Sequence, residues 1–307
     1  LYIALQKAKV SWGVPLALYS LKPGASHHSA QLQLAQLVNS KCTLILASGD
    51  FLSDDVYQVA LANQNQQFVL VDHHFERTRG GVGSHTLMPS NLHYVANQIF
   101  EPTFLVGYLA AMSSQTNFVA VLPAIASANT SLQAKLDKAF RAGVTYYSSH
   151  GGKLVQVKTV EAIPAIAPAG AAIKLVVQGL VESGVDRLFV LSAKDFETVA
   201  SVTEEFKDLQ LIGVERDWAL VKSTKKYASR ILASVVRAKN IASIDSVIVW
   251  GLNPANASPA PLYLTINDLN NEGAVVTEAH DIAYPAGYQS AIEPLKALLT
   301  SDQGMTK

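Results

Sequence analysis

Two carboxylates, a guanidinium and an indole leave one apolar run together in Gly213-Val214-Glu215-Arg216-Asp217-Trp218. A carboxylate at the end of a strand can accept two hydrogen bonds from vicinal hydroxyls, and a nearby cation can balance its charge. An ordinary charged surface turn accounts for the same residues. Ala47-Ser48-Gly49-Asp50-Phe51 is the second candidate. Gly49 permits a tight turn there, and Phe51 can offer a stacking face to a flat ligand or pack under its own helix. His73-His74 after Asp72, and His27-His28, are adjacent pairs whose side chains diverge on a strand or a helix. Neither pair can hold one metal ion without a turn. Gly80-Gly81-Val82-Gly83 neither ends a strand nor opens a helix, so the dinucleotide fingerprint fails. The sequence contains no Gly-x-Ser-x-Gly elbow, no HExxH and no Walker loop, and its acids are scattered. These residues advertise no catalysis, no cofactor and no metal site.

The elements that must position these residues alternate regularly. Helical periods cover 28–39, 54–63, 167–183, 193–207 and the end of the chain near 289–299. Apolar strand runs cover 43–47, 67–72, 154–160, 186–191, 209–214 and 262–266. From Ile99 to Tyr147 an apolar helix, IFEPTFLVGYLAAM, passes through the polar break SSQTN into the strand FVAVLP and a second helix ending AFRAGVTYY. Such alternation predicts parallel sheets covered by helices on both faces, with right-handed crossovers. Sites in such sheets lie at the carboxyl ends of the strands.

Composition narrows the function classes. The chain has 307 residues, 49% of them apolar and 16% charged, which is enough for two cores and excludes a disordered chain. Lys plus Arg equals Asp plus Glu at 24 each, and no long basic run is present, so nothing recruits nucleic acid. Cys42 stands alone, which excludes an internal disulfide or a thiolate cluster. No run of 18 apolar residues and no charged-then-apolar leader is present, so the chain as given has neither a membrane span nor a signal peptide.

The order of FLVGYLAA, AFRAGVTYY, LIGVERD and RILASVVRAKN, with ILASGDFLSDDV and QFVLVD before them, closely resembles the basic membrane protein family of substrate-binding lipoproteins. That family includes purine nucleoside receptors that deliver ligands to ABC transporters. The resemblance implies a two-lobed α/β fold of the type I periplasmic binding protein kind, each lobe a mainly parallel sheet flanked by helices. It implies lobes of 1–112 plus 230–256 and 113–229 plus 257–307, with the first hinge crossing inside 100–147. Against the family, the first strand and base-reading loop are missing before Leu1. Glu101 stands near the family's acidic residue, Leu136 takes the place of a stacking Phe, and Phe196 closes a segment where the family has a Gly-rich loop. The ribose-binding Asp falls on Glu215 with Asp217 as second acid, and the family's Lys falls on Arg237. The ligand set so implied is Phe51, Glu101, Leu136, Phe196, Glu215, Asp217, Trp218 and Arg237.

The resemblance implies an extracytoplasmic protein that closes its lobes on a small polar, nucleoside-like ligand and hands it to an ABC transporter permease. Membrane attachment would run through a lipid anchor outside this sequence. A ligand-sensing regulator or a surface antigen with the same fold is the alternative, and an α/β enzyme acting on a nucleotide or sugar is a weaker one.

Overall fold

The computed structural model describes residues 2–21, 26–49, 52–73, 77–78, 81–82, 89–124, 130–160, 169–238, 240–252, 264–277 and 279–301. In chain order the elements begin α1 (Tyr2–Trp12), α2 (His27–Asn39), β1 (Leu44–Ser48), α3 (Ser53–Ala62), β2 (Gln67–His73), β3 (Arg77–Thr78), β4 (Gly81–Val82) and β5 (Leu92–Asn97). There follow α4 (Phe100–Ser113), β6 (Phe118–Leu122), α5 (Thr130–Ser149), β7 (Gln156–Thr159), α6 (Ala169–Glu182), β8 (Arg187–Val190), α7 (Phe196–Val202) and β9 (Gln210–Glu215). The last are β10 (Ile231–Val236), α8 (Asn240–Leu252), β11 (Leu264–Asn267), β12 (Val275–Val276) and α9 (Tyr288–Thr300).

The chain forms two compact units, 1–98 with 238–273, and 99–237 with 274–307. In the first, a parallel sheet runs β1-β2-β5-β11. Alternation along β2 divides its core. Phe68 and Leu70 pack with Ala30 and Leu34 of α2 and Val56 and Ala60 of α3, while Val69 and Val71 pack with α1 and with Ile244, Val247 and Ile248 of α8. β5 escapes the sequence reading because its stretch LHYVAN shows no alternation, all six residues being buried. At its end, Ser243 Oγ donates to Asn267 Oδ1 at 2.7 Å and Asn267 Nδ2 to Asn97 Oδ1 at 2.9 Å, satisfying amides that burial would otherwise penalise.

The second unit carries a sheet ordered β12-β10-β9-β8-β6-β7, parallel except for β12. One face packs against α6 and α7 through Leu188, Val190, Leu211, Ile173, Val177 and Val199. On the other, Phe140 of α5 stacks on Phe189 of β8 at 4.9 Å. Helices α4 and α5 cross with almost no space between backbones. A Cβ on Gly107 would lie 2.1 Å from the Phe140 carbonyl oxygen, and one on Gly143 would lie 2.0 Å from that of Phe104. The glycines in FLVGYLAA and AFRAGVTYY are therefore the contact itself. The turn after α4 is held by Asp186, which accepts from Ser114 Oγ at 2.7 Å, Gln115 N at 2.6 Å and Thr116 N at 3.2 Å. Beside it Arg187 Nε donates to Ser113 Oγ at 2.9 Å.

Three expectations change. The first crossing comes before α4, between residues 98 and 99, because α4 packs on α5 and belongs to the second unit. The segment 230–237 also belongs there, since β10 pairs with β9, and the stretch up to 273 belongs to the first unit through β11 and its pairing with β5. The helix expected from 193 starts only at Phe196, where a turn in which Asp195 N donates to Ser192 Oγ at 3.2 Å has ended. Residues 253–263 lie outside the described residues. Among those described, no helix is long and apolar enough to cross a membrane.

Candidate functional site

β9 runs between β8 and β10, parallel to both, and four of its residues, Leu211 to Val214, are buried while Glu215 emerges at its carboxyl end. The chain then turns sharply. Glu215 has φ 72, and Arg216 N donates to Val214 O at 2.9 Å across it, a γ-turn with a left-handed central residue. That form is rare and strained for a residue with a Cβ.

The turn is held from below by Trp218. Its indole, 2% exposed, stacks on Phe196 with centroids 4.5 Å apart and donates from Nε1 to the Val214 carbonyl at 2.8 Å. Its backbone N–H donates to Ser234 Oγ at 3.3 Å. Gly213 makes room, since a Cβ there would fall 2.2 Å from the indole Cδ1. The sequence GVERDW is thus a strand end clamped by a buried ring, with its charged residues lifted away from the core.

Strand register puts Glu215 opposite Val236, so half-buried Arg237 follows one residue beyond the neighbouring strand end. On the other side of β10, antiparallel β12 continues into Thr277, whose backbone N–H donates to Ser234 O at 2.8 Å and whose Oγ1 accepts from Ser234 N at 2.9 Å. Tyr284 OH donates to the Thr277 carbonyl. This lashing returns the chain toward the end of β9, where His280 Nε2 meets Asp217 Oδ2 at 2.8 Å. The other carboxylate oxygen, Asp217 Oδ1, is buried and has no hydrogen-bond donor among the described residues. Chemically the edge presents carboxylates and cations, which suits recognition of hydroxyl and amino donors. Among the described residues no three His, Cys, Asp or Glu side chains converge as a metal site.

The sequence profile of the Bmp family, described as ABC transporter substrate-binding protein PnrA-like, matches residues 4–247. The chain belongs to the Bmp family. Bmp proteins of this description are substrate-binding components, and that is the role of this chain at the level the family defines. No curated protein sequence matches it significantly. Among solved structures it is similar to an ABC transporter solute-binding protein of Conexibacter woesei, with TM-score 0.69, 15% identity, and coverage of 100% of this chain and 92% of the other. A transcriptional activator of the comK gene from Bacillus halodurans gives TM-score 0.69 at 15% identity, covering 100% and 94%. A periplasmic solute-binding protein of Actinobacillus succinogenes with bound D-allose gives 0.64 at 10%, covering 91% and 92%. Identities this low show the fold, that of the periplasmic binding proteins.

Within that Bmp fold the expected ligand residues fall in four places. Glu215, Asp217 and Arg237 stand at two adjacent strand ends. Leu136, Phe196 and Trp218 are buried in the core. Leu136 is 2% exposed one turn before Phe140, and Phe196 and Trp218 stack on each other inside the core, because β9 and α7 leave their rings nowhere drier to go. Glu101 lies in the first turn of α4, where a carboxylate is favoured by the helix dipole. Phe51 lies outside the described residues, as do His74, Gly80 and Gly83. His27 is raised above its ordinary value by a hydrogen bond to Asp55, and it serves that carboxylate at 2.7 Å. His280 was not anticipated. It sits in a polar stretch, Glu278-Ala279-His280-Asp281, that has no periodicity to mark it, and only the pairing of β12 with β10 brings it to Asp217.

Proposed function

We propose that this protein is the ligand-binding component of an ABC transporter, working outside the cytoplasm. It binds a neutral, hydroxyl-rich small molecule, a nucleoside first among them, at the carboxyl edge of the six-stranded sheet. Glu215 and Asp217 accept hydrogen bonds from vicinal hydroxyls, and Arg237 supplies a donor and balances their charge. The rings of Phe196 and Trp218 are committed to the core and are not the ones that stack on a base. The bound molecule passes unchanged to a permease, and a lipid anchor keeps the protein at the membrane.

The observation that carries this reading is Glu215. A non-glycine residue at φ 72, exposed at the end of an inner strand, holds a carboxylate in a conformation that a sequence under selection for stability alone would give to glycine. Strain of this kind collects at binding sites.

A thermal-shift panel tests it. A ligand present at 100 times its Kd stabilises the folded state by about 2.7 kcal/mol, which moves the melting point of a unit of this size by roughly 5–10 °C. Adenosine, guanosine, inosine, cytidine and uridine are expected to include a ligand that does so, with glucose, ribose and amino acids as comparison. A shift with a sugar and none with any nucleoside removes the nucleoside assignment. No shift with any hydroxyl-bearing compound removes the site assignment as well.

A further inference from the structure

The Asp217 carboxylate is held from one side only. His280, 63 residues away in sequence, holds Oδ2 at 2.8 Å. Oδ1 is buried and receives no donor among the described residues. A buried carboxylate oxygen that gave up water without gaining a donor weakens the fold, so its persistence calls for a partner that arrives later. The His280 side is built with care: β12 is laid against β10, Thr277 is bonded twice to Ser234, and Tyr284 clasps the Thr277 carbonyl. The Asp217 side is equally fixed, because the next residue is the clamped Trp218. Two segments, each tied to Ser234 of β10, therefore meet at one hydrogen bond. A flexible surface ion pair has neither anchor.

We propose that His280 is a positioning residue for recognition, which fixes the rotation of the Asp217 carboxylate so that Oδ1 points its lone pair at a hydroxyl or amino hydrogen of the ligand. The inference rests on the reading of this sheet edge as the ligand site. It adds a selection rule. An acceptor that already has its histidine takes a neutral donor such as a sugar or nucleoside hydroxyl, and it repels a phosphate or carboxylate placed at the same point. Free nucleosides and sugars are accepted on this basis, and the corresponding 5′-phosphates or uronic acids bind more weakly whenever their charge lies near Oδ1.

The test is calorimetric titration of the whole chain with the tightest-binding nucleoside or sugar of the thermal panel, against wild type, His280→Ala, His280→Gln, Asp217→Asn and the double variant His280→Ala with Asp217→Asn. His280→Ala is expected to weaken binding about tenfold with little change in the ligand-free melting point, the scale of one misaligned charged hydrogen bond. His280→Gln, which keeps an N–H donor, is expected to recover most of that loss. The double variant is expected to bind no more weakly than Asp217→Asn alone, because His280 acts only through Asp217. Additive losses in the double variant, or wild-type affinity in His280→Ala, overturn the role of His280 while the site survives. Full affinity in Asp217→Asn, and in Glu215→Gln titrated beside it, removes the site, and the role of His280 with it.

Discussion

Replacing Gly107 or Gly143 by alanine tests the tightest contact in the second unit. Each new methyl carbon would sit 2.1 Å or 2.0 Å from a carbonyl oxygen of the opposite helix, where real Cβ atoms essentially never come within 3.0 Å. The obstructing atoms are backbone, so no side-chain rotation relieves them. The helices must part by roughly 1 Å, in an interior packed as densely as an organic crystal. Overpacking of this kind costs about 1–3 kcal/mol, and two backbones in collision put it at the upper end. Against it stands the helix propensity of alanine over glycine, worth about 0.5–1 kcal/mol. The clash wins, leaving a net loss of about 2 kcal/mol per substitution and a melting point lower by roughly 4–8 °C. Gly179 is the internal control, since it lies in α6 with nothing within 4 Å of a new Cβ. Gly179→Ala is therefore expected to raise the melting point by a few degrees on propensity alone. Differential scanning calorimetry of the three variants reads all of this directly. If Gly107→Ala or Gly143→Ala stabilises the protein as Gly179→Ala does, the close crossing of α4 and α5 is wrong.

The other predictions use the same logic. His93, 6% exposed in β5, is held down to about 4 by burial, against an ordinary value of 6.5. Below pH 6.5 the unfolded chain binds a proton that the folded one refuses, so stability falls as pH drops from 6.5 to about 4 and then levels, a total on the order of 3 kcal/mol. Urea melts across that range should show the slope in wild type and lose it in His93→Phe; an unchanged slope in the variant would assign the effect elsewhere. Glu215→Gly should relax the left-handed turn, adding about 1 kcal/mol of stability while ligand affinity falls at least about tenfold. A variant that binds normally contradicts the ligand role, and one that melts lower contradicts the strain. Asp186→Ala leaves the backbone donors of Gln115 and Thr116 and the guanidinium of Arg187, itself pushed down by burial, without their carboxylate, and should cost about 3–5 kcal/mol. Soluble expression with an unaltered melting point would refute that anchoring.

Much of the fold was legible before any coordinates. The runs TLILA, QFVLVD and LIGVERD announced strands through their apolar content, and each lies within a residue or two of an observed strand. LHYVAN stayed hidden, because a strand buried on both faces has no polar side to give it a period. Of the candidate site, Glu215 and Asp217 could be named because charged side chains following an apolar strand must leave the sheet at its carboxyl edge, whereas Arg237 was named only through the family resemblance. Phe196 and Trp218 looked equally eligible. Whether a ring at a strand end turns outward to a ligand or inward to the core depends on the space beneath it, and that space is set by Gly213, Val199 and the helices above.

The amino-acid order by itself determined the alternation of strands and helices and the family, since these follow from local periodicity and from residue types at fixed spacing. Tertiary structure alone decided which strand each segment joins, and hence that residues 230–237 belong with the second sheet. It alone decided that two aromatic rings serve the core, and that a histidine 63 residues away finishes the environment of Asp217. Those outcomes depend on contacts between residues far apart in the chain, whose energies appear only when the sheets have formed and water has left the spaces between them.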